Sequence, residues 1–88
     1  MLSGRVKAIA VDIRAALKDY GVPYGYVSVT CHEVKSGSGP VEEIRIKLLK
    51  AGEHKLPSGE YLLNFICDYH KALCNKYGSN RLFIRLSL

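Results

Sequence analysis

The sequence predicts an α+β domain of order α-β-β-α-β, a three-stranded, mainly antiparallel sheet with two helices on one face. Three observations predict it. Residues 26–50 read YVSVTCHEVK, SGSGP, VEEIRIKLLK, two alternating runs joined by turn-forming residues. Apolar residues recur at helical spacing before that stretch and again from Tyr61 onward. The closing residues, RLFIRLSL, alternate once more.

The first helix has Ser3 as a candidate N-cap. Val6, Ile9, Ala10, Ile13, Leu17 and Tyr20 then draw one apolar stripe, with Lys7, Arg14 and Lys18 largely off it. Gly21 is placed to end the helix in the left-handed conformation, and Pro23 prevents its resumption.

In the hairpin, Val27, Val29 and Cys31 share a face with Ile44, Ile46 and Leu48. Tyr26, Ser28, Thr30 and His32 fall on the opposite face with Glu43, Arg45 and Lys47. One apolar and one polar face per strand is the pattern of a half-buried antiparallel sheet. The SGSGP connection exceeds the favoured two-residue loop, which predicts a mobile tip and a loosely set register.

Gly52, Pro57 and Gly59 then break any regular element. Ser58 is a candidate cap for a second helix, with Glu60 in its first turn. From Tyr61 to Tyr77 the stripe is Leu62, Phe65, Ile66, Tyr69, Leu73 and Tyr77. Lys71 and Lys76 lie toward the C-terminal end, where positive charge is favoured, and Gly78 ends the helix. Ser79 and Asn80 turn the chain into a last strand. There Leu82, Ile84, Leu86 and Leu88 face the core, and Phe83, Arg85 and Ser87 face away. The pattern fits this strand beside the first or the second equally well.

The 88 residues predict one domain, 1–88, with a single small core. No window approaches the roughly 18 apolar residues of a membrane span, so no membrane partner is expected. Lys7, Asp12 and Arg14 interrupt the N-terminal apolar positions, unlike a secretory signal, and the expected location is cytoplasmic. Three cysteines without framework spacing suit reduced thiols there. The charge of +5 is compatible with nucleic acid or an acidic protein surface as partner, and equally with plain solubility.

Catalytic and metal motifs are weak. Cys67, His70 and Cys74 share one side of the second helix and, with Cys31 or His32, would make up a zinc ligand set. The sequence has no Cys-x-x-Cys pair, and three ligands from one helix interior would be unusual, so neither metal nor cofactor is expected. No Ser-hydrolase elbow, Walker loop or dinucleotide fingerprint is present. Glu42 and Glu43 are adjacent and point to opposite faces, which suits no paired acid-base work. The chain is therefore read as a binding protein without enzymatic activity.

The candidate binding residues are those of the uncovered sheet face: Tyr26, His32, Arg45, Lys47, Phe83 and Arg85. Read as a nucleic-acid surface, they combine phosphate contacts with stacking rings. Glu43 and Glu33 dilute the field, and the signatures of the common RNA-binding modules are absent. Read as a protein surface, the same face is joined by tyrosines near element ends, among them Tyr20, Tyr24 and Tyr61. An edge strand leaves pairing with a partner, or a homodimer, open.

Ile13, Arg14, Leu17, Lys18, Pro23, Val27, Ser28, Val29 and the SGSG turn carry a resemblance over about half the chain. The run resembles a small domain type of large polyvalent proteins from phages and conjugative elements. Ala51-Gly52 stands where that type has Gly-Pro. The resemblance implies a small α/β fold. Stand-alone miniproteins of this kind and source are often inhibitors of host defence, anti-CRISPR proteins among them. It thus implies a chain that occupies a protein or ribonucleoprotein surface without catalysis. Many anti-CRISPR proteins are acidic mimics of DNA, and this basic chain differs from those. The alternative is an RNA- or DNA-binding domain using the open face.

Overall fold

The computed structural model describes residues 4–23, 25–37, 39–50, 54–78 and 81–88. The elements are α1 (Gly4–Asp19), β1 (Val27–Ser36), β2 (Gly39–Leu48), α2 (Leu62–Tyr77) and β3 (Leu82–Ser87), in the predicted order. Ser3, Tyr24, Ser38, Ala51, Gly52, Ser79 and Asn80, all named above, lie outside the described residues.

Helix α1 buries Val6, Ile9, Ala10, Ile13 and Leu17, the predicted stripe. Tyr20 is exposed, yet its ring lies 4.4 Å from that of Phe65 on α2. The helix ends as its sequence dictates. Gly21 takes φ +86°, its N–H donates to Lys18 O, and Val22 N–H donates to Leu17 O. These are the two bonds of a Schellman end, with Val22 packed against the core that holds Leu17.

Strands β1 and β2 pair antiparallel without a break, from Val27 opposite Leu48 to Ser36 opposite Gly39. Only positions 37 and 38 are left for the turn. The loose register expected from SGSGP is therefore replaced by a ladder that takes in Ser36, Gly39 and Pro40. Gly39 adopts φ +121°, which a side chain would oppose. Pro40 is tolerated because of its parity. Glu42 N–H donates to Arg81 O, so even positions of β2 turn their amides toward β3. Pro40 shares that parity and lies beyond the start of β3, so its missing N–H removes no ladder bond.

Strand β3 lies beside β2 and runs parallel to it, Glu42 opposite Leu82 through Lys47 opposite Ser87. The order is β1-β2-β3. The sheet is thus mixed, one antiparallel and one parallel pair, where a mainly antiparallel sheet was expected. The cause is the helix between β2 and β3, which returns the chain to the end where β2 began. Side-chain alternation is blind to strand direction.

Ser58 does not cap α2. The helix starts at Leu62 with Tyr61 as N-cap and no side-chain cap bond. Lys55 and Tyr61 form an antiparallel bridge instead, and Leu56 N–H donates to Glu60 O. Leu62 N–H, an orphan of the first turn, donates to His54 O. Ser58 sits in the turn between, where its Oγ accepts from Glu60 N–H at 3.5 Å.

The core gathers both helical stripes and one sheet face: Val29, Ile44, Ile46, Leu82 and Ile84, closed by Leu56. Helix α1 packs on β1 and β2, and α2 packs on β3. Leu88, expected to face inward, lies past the end of β3 and is exposed. The Tyr69 phenol is held above its ordinary value of 10.0, first by burial and then by Tyr77, Asp12 and Tyr20. Among the described residues no helix is long and apolar enough to cross a membrane.

Candidate functional site

The two registers fix the layout of the uncovered face. His32, Glu43 and Phe83 form one row across the strands, and Thr30, Arg45 and Arg85 form the next. Ser28, Lys47 and Ser87 follow toward the C-terminal ends of β2 and β3. Toward the hairpin turn, Val34 stands opposite Val41.

Glu43 is the unexpected member. It occupies the central strand of the solvated face, yet it is only 4% exposed. Arg45 Nε donates to Glu43 Oε1, and an Arg85 terminal nitrogen lies 3.6 Å from Oε2. The two arginine side chains remain 48% and 68% exposed. One buried carboxylate thus holds two solvent-facing guanidinium groups. Its oxygens are engaged by those groups and scarcely reach solvent. Among the described residues Arg45 engages Glu43 through Nε alone, which leaves its terminal amino groups for another acceptor.

Phe83 is 51% exposed beside this cluster. Val34 is also exposed, and Val41 is buried next to it. A shallow groove of about 570 Å³ spans the β3 edge, lined by Arg85, Glu43, Phe83, Val41 and Val34 of the open face and by Leu82, Ile84 and the α2 end at Cys74 and Gly78. On the other margin Thr30 Oγ1 and His32 Nε2 share a hydrogen bond of 2.9 Å, which orients the imidazole. The face therefore has a cationic end, Arg45, Lys47 and Arg85, and an apolar end, Phe83, Val34 and Val41.

Five of the six residues expected on the face come together there: His32, Arg45, Lys47, Phe83 and Arg85. Tyr26 does not join them. It precedes β1, its N–H donates to Pro23 O, and it packs partly against the core. Its ring meets His54 edge-on at 4.9 Å, with Lys50 Nζ 5.2 Å from the centroid. Sequence reading missed Val34 and Val41. The signal was available, since both keep the parity of His32 and Glu43; only their standing opposite each other depends on the register.

Of the candidate zinc ligands, His70 and Cys74 meet beside β3. His70 Nε2 donates to Ile84 O at 2.7 Å, with Cys74 Sγ 3.4 Å from the same nitrogen. Cys31 lies on the other side of the core, its Sγ 3.9 Å from Val6 O. Among the described residues no group of three or more His, Cys, Asp or Glu is placed to hold a metal ion.

No protein-family model, curated protein or solved structure matches the chain. The chemistry of the face itself carries the functional reading.

Proposed function

We propose that this chain is a small, non-enzymatic binding protein that docks its open sheet face on a protein or ribonucleoprotein surface. The observation that supports this is Phe83, half-exposed on an uncovered sheet and flanked by arginines that Glu43 holds in place. An aromatic anchor with an apolar neighbourhood and a charged margin has the anatomy of a protein interface. In its most concrete form the protein is an inhibitor from a phage or mobile element that occupies a host-defence complex, acting in the cytoplasm. The sequence resemblance supports that form, and the three unpaired thiols suit a reducing compartment.

A second reading, binding of RNA or DNA, is favoured by the three cations of the face against one carboxylate. Two features weigh against it. Tyr26 packs partly against the core and His54, so Phe83 is left as the principal stacking ring, whereas single-strand binders stack successive bases on several. Glu43 also draws on both arginines.

The test is retention of partners from a lysate of the cells in which the protein occurs, with and without nuclease. Wild type is compared with a Phe83→Ala, Arg85→Glu variant. A stoichiometric protein partner that resists nuclease and is lost with the variant is the expected result. Recovery that disappears with nuclease or at high salt moves nucleic acid to first place. Retention that ignores the two substitutions removes the open face from both readings.

A further inference from the structure

We infer that the open face recognises an acidic protein segment in which a carboxylate stands beside an apolar side chain. The inference rests on the binding-face reading above and names the chemistry of the partner.

Arg45 and Arg85 are register partners on adjacent strands, so their side chains rise side by side. Neighbouring strands lie about 4.8 Å apart, and two like charges at that spacing repel. Glu43 offsets the repulsion by engaging both guanidinium groups from beneath. Each arginine is thus tethered on its sheet side and remains exposed on its outer side. Two adjacent planar donors suit a carboxylate, which takes paired N–H bonds from a guanidinium. Because Glu43 is buried, it presents no exposed carboxylate to repel that anion.

The groove adds the second half of the specificity. On its open-face side it continues from Arg85 past Phe83 to Val41 and Val34, and among the described residues Arg85 is the one cation in its lining. A polynucleotide repeats its phosphates at every step and offers flat bases. After Phe83 it would meet two valines, which offer neither a phosphate contact nor a stacking ring, before it reached Arg81 just ahead of β3. A peptide places an acidic and an apolar side chain within one or two residues of each other and satisfies both ends at once. A second copy of the same face is disfavoured as occupant, since its three cations would confront three more.

The experiment is fluorescence anisotropy of the full chain with labelled synthetic probes. These are peptides of alternating Glu and Leu, of Gln and Leu and of Glu and Ser, and an oligothymidylate of matched charge. The Glu-Leu peptide is expected to bind about tenfold tighter than each of the others, a step of about 1.4 kcal/mol. Arg85→Gln and Phe83→Ala are each expected to weaken it about fivefold or more. Lys71→Gln on the exposed side of α2 is expected to leave it unchanged. Equal binding of the Gln-Leu or Glu-Ser peptide overturns the inference while leaving the face a binding surface. So does an oligothymidylate that binds tightest, and so does an equal loss with Lys71→Gln, which would make net charge the cause. Failure of the Glu-Leu peptide to bind overturns it as well. Glu-Leu binding that ignores both Arg85→Gln and Phe83→Ala overturns the binding-face reading along with it.

Discussion

Burying a carboxylate is unfavourable unless its oxygens are paired, and Glu43 is buried with an arginine on each. Removing it leaves two guanidinium groups that water can still solvate. The loss should therefore fall below the roughly 3–5 kcal/mol of breaking a fully buried pair. Glu43→Ala is expected to lower unfolding stability by about 1–3 kcal/mol in urea titrations, through lost charge-assisted bonds and unrelieved repulsion between the arginines. Arg85→Ala, at an exposed position, should lower it by less than about 1 kcal/mol. Equal stability of Glu43→Ala and wild type would show that the tether carries no weight. Alternation alone placed Glu43, Arg45, Lys47 and Phe83 on the correct face, because each lies inside a ladder where parity holds. It failed for Tyr26, which precedes β1 and whose ring packs against the core and meets His54. It also read Glu43 as a solvated charge that dilutes the field. Arg45, two residues on, was in view, but Arg85 and the flanking His32 and Phe83 come from strands whose pairing with β2 the local pattern does not report.

Element boundaries were legible where a single residue type had only one conformational answer. Gly21 and Gly25 both sit at φ +86°, in the region where a Cβ is strained. They differ in surroundings. A Cβ at Gly21 would lie 2.6 Å from Pro57 Cδ and Cγ, while one at Gly25 meets nothing within 4 Å. Gly25→Ala should therefore show dihedral strain alone, about 1 kcal/mol, and Gly21→Ala a further 1–3 kcal/mol or so from the collision. Thermal unfolding of the two variants reads the difference directly. Equal losses would mean that the 54–61 loop, which carries Pro57, yields freely to α1. The end of α1 was readable because Gly-Val-Pro supplies both the left-handed residue and the block to continuation. The hairpin tip was not, because SGSGP contains more turn-forming residues than the turn uses. Gly39 and Pro40 enter the strand only because of a positive φ and a favourable parity. Ser58 had the right residue type for a cap, but the Lys55–Tyr61 bridge already supplies a partner for the first orphan amide of α2.

With β2 in the centre, β1 and β3 are the sheet edges, where outward backbone groups can pair with another chain unless something claims them. Leu49 N–H donates to Tyr26 O, so even positions of β1 face β2 and Val29 turns its carbonyl outward. Arg81 O accepts from Glu42, so odd positions at β3 face β2 and Ile84 likewise turns outward. The overlying helices reach down to these two atoms. An Arg14 terminal nitrogen donates to Val29 O at 2.7 Å, and His70 Nε2 donates to Ile84 O at 2.7 Å. In sequence Arg14 read only as lying largely off the apolar stripe, and His70 as one of a weak zinc ligand set. Their placement at the edges could not be read there, because the alternation left β3 beside either strand of the hairpin. Side chains that claim edge carbonyls deny a pairing partner part of its ladder. Arg14→Ala is therefore expected to raise concentration-dependent self-association through β1, and His70→Ala to do so through β3, with far-UV circular dichroism unchanged in both. Sedimentation velocity across a hundredfold concentration range reads the effect. The double variant should associate at the lowest concentration, because two open edges permit growth in both directions where one permits only a dimer. A double variant that sediments like wild type throughout that range would mean that the edges are protected by something other than these two side chains.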